Sequence, residues 1–205
     1  LKTSGDELIP DQSTDSITIN SLGFRGAEFS EIKPPNTHRI FMVGGSTMFG
    51  AGATSDKTTI PGYTQQFLDE NNVGFNLEVI NAGIQGADSN TELKLIEQKL
   101  VRFSPDLIII YDGWNDLRAS NTPVKLKENW EVMCELGKEN NFDVIITLQP
   151  IPGFGNKKLT HQELVNSFVG QDHYGYQLLS AKSTYDYMAR ELLSLQNDCK
   201  YVIDL

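Results

Sequence analysis

The chain has 205 residues, 39% of them apolar and 21% charged, with a formal net charge of −10. That length suits one domain with a sizeable core. The acidic balance argues against nucleic acid and anionic membrane surfaces as partners, because both need clustered Lys and Arg. No apolar run approaches the length of a membrane span, and no secretory leader pattern opens the sequence.

The first residue is Leu1, so a processed or partial chain is expected. Residues 1–38 read as an extended arm, with Ile17 to Asn20 as a short edge strand. Asn20-Ser21-Leu22-Gly23-Phe24-Arg25-Gly26 is turn-rich, and Lys33-Pro34-Pro35-Asn36 is linker. Phe24 and Phe29 are expected to pin the arm to the domain that fills residues 39–205.

Arg39-Ile40-Phe41-Met42-Val43 leads into Gly44-Gly45-Ser46. An apolar run stopped by two glycines suits a buried strand of a parallel sheet. Ligands of such sheets bind just past the strand's C-terminal end. Ser46, flanked by glycines that admit substrate closely, is there either a nucleophile or a hydrogen-bonding turn residue. Thr59-Ile60-Pro61 opens a helix, with Tyr63 and Phe67 expected to face the core.

Leu77 to Gly83 is the second strand, ending in small residues through Gly86 and Ala87. Ser89-Asn90-Thr91-Glu92 has the pattern of a capping box. The helix behind it sets Leu93, Ile96, Leu100 and Phe103 on one face. Leu107 to Tyr111 is the most apolar strand and is expected at the centre of the sheet. Asp112-Gly113-Trp114-Asn115-Asp116 follows it, and a helix over about 124–138 carries Leu126, Trp130 and Met133.

Val144 to Leu148 is the fourth strand. Ile151 to Gly175 is a long irregular stretch with a short helix near His161 to Phe168. A last helix, about 176–196, presents Leu178, Tyr185, Met188, Leu192 and Leu195, and Tyr201 to Leu205 is a fifth strand. Alternation of strand and helix predicts an α/β domain with a parallel sheet. Cys134 and Cys199 are read as small core residues, since two cysteines make neither a disulfide framework nor a zinc spacing, and whether they pair is left open by the sequence.

Parallel strands bring Ser46, Gly86 and Asn115 to one edge of the sheet. A serine, an exposed backbone N–H and a side-chain amide together suit acyl transfer. The Ser46 N–H, the Gly86 N–H and the Asn115 amide are candidate donors to an oxyanion. The Gly-rich stretch lacks the lysine of a phosphate loop and the third glycine of a dinucleotide fingerprint. Met48 stands where an α/β-hydrolase elbow needs glycine.

Gly44-Gly45-Ser46-Thr47, Asn81 to Gly86, and Gly113-Trp114-Asn115-Asp116, each following its own strand, resemble the blocks of the SGNH (GDSL-type) hydrolases. The resemblance spans about residues 39–118, with Gly-Gly-Ser in place of the commoner Gly-Asp-Ser. It implies a flavodoxin-like α/β/α sandwich of five parallel strands, ordered 2-1-3-4-5. It also implies Ser46 as nucleophile, Gly86 and Asn115 as oxyanion donors, and Asp116 as a structural residue. No cofactor or metal is implied. The expected substrates are carbohydrate acetyl esters or short acyl and lipid esters. Trp114 and His173 are candidate substrate contacts. The segment Asn20 to Gly26 resembles the lead-in of some surface-associated members, which leaves an extracellular or cell-surface location open.

The family's base, an Asp-x-x-His after strand five, is absent. His38 precedes strand one, at the wrong edge. His161 and His173 lie in the long stretch after strand four, and Asp172-His173 lacks the spacing. The His and Asp are therefore expected from a C-terminal segment beyond Leu205. The alternative is a non-catalytic binding domain that keeps the fold without the base.

Overall fold

The structure is a computed structural model that describes residues 1–4, 7–71, 74–118, 123–150, 158–169 and 181–204. Four short strands make up the arm: β1 (Thr3–Ser4), β2 (Glu7–Leu8), β3 (Gln12–Ser13) and β4 (Thr18–Ile19), paired as two antiparallel hairpins. The main sheet follows with β5 (Thr37–Gly44), β6 (Asn76–Asn81), β7 (Leu107–Asp112), β8 (Asp143–Leu148) and β9 (Tyr201–Asp204). These five pair in parallel in the order β6-β5-β7-β8-β9, with β7 at the centre. This is a flavodoxin-like α/β sandwich.

Side chains alternate across the pleat. On β5, Phe41 and Val43 enter one core and Ile40 and Met42 the other. The first core is closed by α3 (Ser89–Leu95), α5 (Pro123–Asn140) and α7 (Ala181–Ser194). Trp130, Leu192 and Ile110 have no exposed surface there. The second core is closed by α1 (Ser46–Phe49) and α2 (Ile60–Asn71), through Met48 and Leu68. Two further helices are α4 (Trp114–Arg118) and α6 (His161–Val169). No helix among the described residues is long and apolar enough to cross a membrane.

The arm is held by rings and by one arginine at each end of β5. Phe24 is buried among Phe29, Phe41 and Phe103, with centroids 5.6 to 5.7 Å away. Ile19 pairs with Arg25, and Arg25 with Asn81 at the end of β6, so the arm extends the sheet edge.

Two expectations are corrected, and the open question of the cysteines is answered. Tyr63 and Phe67 are 57% and 64% exposed. Helix α2 instead turns Pro61, Gln65 and Leu68 inward, and the Gln65 amide pairs with the open edge of β6 at Val79 N (2.7 Å) and Leu77 O (3.1 Å). The capping box at Ser89 is not formed. The cap is Asp88, whose carboxylate accepts from Thr91 N at 3.0 Å, while Glu92 is buried in the core. The cysteines are paired: Cys134 on α5 and Cys199 ahead of β9 form a disulfide with Cα atoms 5.1 Å apart. They are 65 residues apart in sequence, and only the packing of α5 beside β9 brings them together.

Candidate active site

Three strand ends build the site. Strand β5 stops at Gly44, where a Cβ would lie 2.6 Å from Tyr111 O and 2.8 Å from Met48 Cβ. Only glycine permits so sharp a turn from strand into α1. Gly45 caps that helix and Ser46 is its first residue, half-buried at the C-terminal edge of the sheet.

Past β6 the chain stays pinned to β5 by Ala82 N to Met42 O and Ile84 N to Gly44 O, both 2.9 Å. A turn closed by Ala87 N to Ile84 O (3.1 Å) then exposes Gly86, whose φ of +82° suits glycine. Past β7, α4 carries Asn115. Its amide donates to Ala87 O at 2.6 Å. The same nitrogen lies so close over Gly45 that a Cβ there would overlap it. The residue before Ser46, the residue after Gly86 and the Asn115 amide therefore meet at one point. Among the described residues, neither the Ser46 N–H nor the Gly86 N–H donates to a protein acceptor. A second amide proton of Asn115 is left over as well. Just past β8, Gln149 reaches in and donates to Thr47 Oγ1 at 3.2 Å.

Beneath these donors lies a buried polar knot. Asp116 accepts from Ser89 N (3.0 Å) and Ser89 Oγ (2.6 Å), tying α4 to the start of α3. Asn129 donates to Ser89 Oγ (2.8 Å) and Asn90 Oδ1 (3.1 Å). Asp112 accepts from Gly113 N (2.6 Å) and the Trp130 indole (3.0 Å). Burial first, and then the Asp116 charge, hold the Asp112 carboxyl well above the ordinary carboxylate range. Glu92 is 1% exposed, and neither of its oxygens has a partner. Burial, then the charges of Asp112, Asp116 and Asp88, push its titration far up as well. Among the described residues no group of His, Cys, Asp or Glu is arranged as a metal site.

Of the residues expected from sequence, Ser46, Gly86 and Asn115 come together. Trp114 is half-buried beside Asn115 and packs against the main core. His38 sits at the far end of β5, its ring 5.6 Å from Phe75. His161 opens α6 and is exposed. His173, and the flanks of the Ile151 to Gly175 stretch, lie outside the described residues. The reading of the sequence missed Ser89, Asn129 and Trp130 as supports. Polar residues recurring on faces that should be apolar were the available signal.

Residues 42–171, more than half of the chain, match the GDSL-like lipase/acylhydrolase family. No curated protein sequence matches. Solved structures share the fold. AlinE4, an SGNH-hydrolase family esterase, is 17% identical with a TM-score of 0.59, covering 83% of this chain and 77% of its own. TesA is 19% identical with a TM-score of 0.58, covering 81% and 77%. A variant of Axe2, an acetyl-xylooligosaccharide esterase from Geobacillus, is 16% identical with a TM-score of 0.58, covering 81% and 74%. Ordered strand-end blocks, sheet topology and family match agree: the chain belongs to the GDSL-like lipase/acylhydrolase family of SGNH ester hydrolases.

Proposed function

We propose that the protein hydrolyses O-acyl esters, carbohydrate acetyl or short acyl and lipid, through an acyl-enzyme on Ser46. The observation that carries this reading is the meeting of Gly45, Asn115 and Ala87 beside Ser46. Ser46 Oγ attacks the ester carbonyl and gives its proton to a base. The carbonyl oxygen becomes an oxyanion and takes hydrogen bonds from Ser46 N–H, Gly86 N–H and Asn115 Nδ2. These donors are fixed beforehand, so they need not reorganise as charge develops. The alkoxide leaves with the proton. Water then attacks the acyl-serine, releasing the carboxylic acid and restoring Ser46.

The proposed base is the histidine of an Asp-x-x-His segment following β9 in the full-length protein, as the family pattern has it. Trp114 is proposed as a wall of the acyl or sugar pocket. The Cys134–Cys199 bond supports a compartment more oxidising than the cytosol.

The test is hydrolysis of p-nitrophenyl acetate, p-nitrophenyl octanoate and acetylated xylooligosaccharide by the full-length protein and its Ser46→Ala variant. Loss of at least about 10³-fold in kcat on the preferred ester is expected. Equal rates in both proteins would refute the reading. The competing reading is a non-catalytic binding domain. The observation that favours it is that neither described histidine, His38 or His161, hydrogen-bonds Ser46. Serine-dependent turnover excludes it.

A further inference from the structure

The turn-rich lead-in Asn20 to Gly26 is not used by the chemistry above, yet it ends at the nucleophile's turn. The Asn20 side chain shapes it, accepting from Leu22 N (3.0 Å) and Phe24 N (2.9 Å) and donating to Ala27 O (2.9 Å). This fold of the loop sends Arg25 under α1 with no exposed side-chain surface. Its guanidinium makes four hydrogen bonds. Nη1 donates to Phe49 O (3.0 Å) and Gly50 O (2.9 Å), Nη2 to Ser16 O (3.0 Å), and Nε to Asp56 Oδ1 (2.8 Å). Its plane also lies over the Phe49 ring, 5.0 Å from the centroid.

Phe49 and Gly50 are the C-terminal end of α1, and Ser46 is its first residue. Gly50 N and Ala51 N both bond to Ser46 O, at 3.0 and 2.9 Å. Two hydrogen-bonded steps therefore connect the guanidinium to the backbone of Ser46. A four-residue helix has too few internal bonds to hold its own shape, so its geometry depends on what grips its ends. Asn81 adds a second donor to Phe49 O at 3.1 Å.

We infer that Arg25 is a positioning residue for Ser46: the arm, through its guanidinium, fixes the turn that aims the nucleophile. This rests on Ser46 being the nucleophile proposed above. A planar fork with donors on three nitrogens is required, and a lysine ammonium cannot reach all four acceptors at once.

The chain carries its own control. Arg39 is equally buried, donates to Phe103 O (2.8 Å), Ser30 O (2.8 Å) and Glu78 Oε2 (2.8 Å), and lies over Phe29. It ties the arm to the domain at the opposite edge of the sheet. Removing either arginine loosens the arm, but only Arg25 touches the nucleophile's turn.

The experiment compares full-length wild type with Arg25→Met, Arg25→Lys and Arg39→Met. Two quantities are read at a temperature where each is folded. One is the second-order rate of Ser46 phosphonylation by a fluorophosphonate, with kcat and KM on p-nitrophenyl acetate. The other is amide hydrogen exchange at Gly50 and Ala51. Displacing a reacting group by about 1 Å costs about 10²-fold. Arg25→Met is expected to slow phosphonylation and kcat about 10- to 100-fold with KM changed less than about threefold. Arg25→Lys should fall between it and wild type, and Arg39→Met within about twofold of wild type. Exchange at Gly50 and Ala51 should rise in both Arg25 variants and not in Arg39→Met. The inference is overturned if the Arg25 variants react within about twofold of wild type, or if Arg39→Met is slowed as much. Unchanged exchange at Gly50 and Ala51 overturns it independently, and that readout stands even if no Ser46 reaction is found in wild type. Should Arg25→Met not fold, the same criteria apply to Arg25→Lys.

Discussion

Replacing Glu92 by glutamine should stabilise the protein at neutral pH, and increasingly so as pH rises. The side chain is 1% exposed, lacks a hydrogen-bond partner and is surrounded by Asp112, Asp116 and Asp88. Burial is the largest cause of its raised titration, followed by those three charges in that order. In the unfolded chain it ionises near 4.5. The fold holds the proton to higher pH, so folding takes up a proton in the interval between. The neutral acid's contribution is complete below the unfolded value and is lost as pH rises through the folded one. While Glu92 stays neutral in the fold, each pH unit removes about 1.4 kcal/mol. Glutamine keeps the volume and has no charge to suppress. Asp112 is present in both proteins and cancels to first order in the difference. For a chain of this size, about 2–4 °C accompanies each kcal/mol. The variant's lead in Tm should therefore widen by about 3–6 °C per pH unit above the ordinary carboxylate range. Thermal melts of both proteins from pH 4.5 to pH 7.5 read this directly. A gap that does not change with pH, or that narrows as pH rises, would refute the reasoning.

Other consequences are as definite. Asn115→Ala removes a proposed oxyanion donor and should lower kcat about 10²- to 10³-fold, with KM nearly unchanged; a fall confined to KM would assign Asn115 to substrate binding instead. Gly45→Ala places a Cβ on the Asn115 amide and 3.3 Å from Ala87 O. It should reduce kcat in the same way, at a stability cost of about 1–3 kcal/mol, and ester kinetics with full activity would contradict the close approach. Loss of the Cys134–Cys199 bond, by dithiothreitol or by paired serine substitutions, opens a loop of 65 residues. Chain entropy puts the cost at about 4 kcal/mol. Urea titrations with and without reductant check this, and coincident midpoints would show that the bond is not made.

The sheet was legible because each of its strands is an apolar run ended by punctuation. Gly44-Gly45, Gly83 and Gln149-Pro150 stop strands where the chain turns, and their order alone implied parallel pairing. The meeting of the three candidate site residues was legible for the same reason, since topology sets successive strand ends side by side. The helices' outward features were harder. Tyr63 and Phe67 fit an inward stripe by spacing, but α2 has one sheet edge to cover and spends Gln65 on it. Spacing does not say which of two faces meets the sheet. Glu92 matched a capping pattern one residue out of phase with the real cap at Asp88. The Cys134–Cys199 pair and the reach of Arg25 to Gly50 join residues far apart in sequence. Such contacts come from tertiary packing and leave no local trace.

The account turns on Ser46, and covalent labelling tests it most directly. Full-length protein treated with a fluorophosphonate, then digested and mapped by mass spectrometry, should carry the adduct on the peptide holding Ser46. Labelling should vanish in Ser46→Ala and slow in Asn115→Ala. An adduct on another residue, labelling that survives Ser46→Ala, or no adduct at all would contradict it.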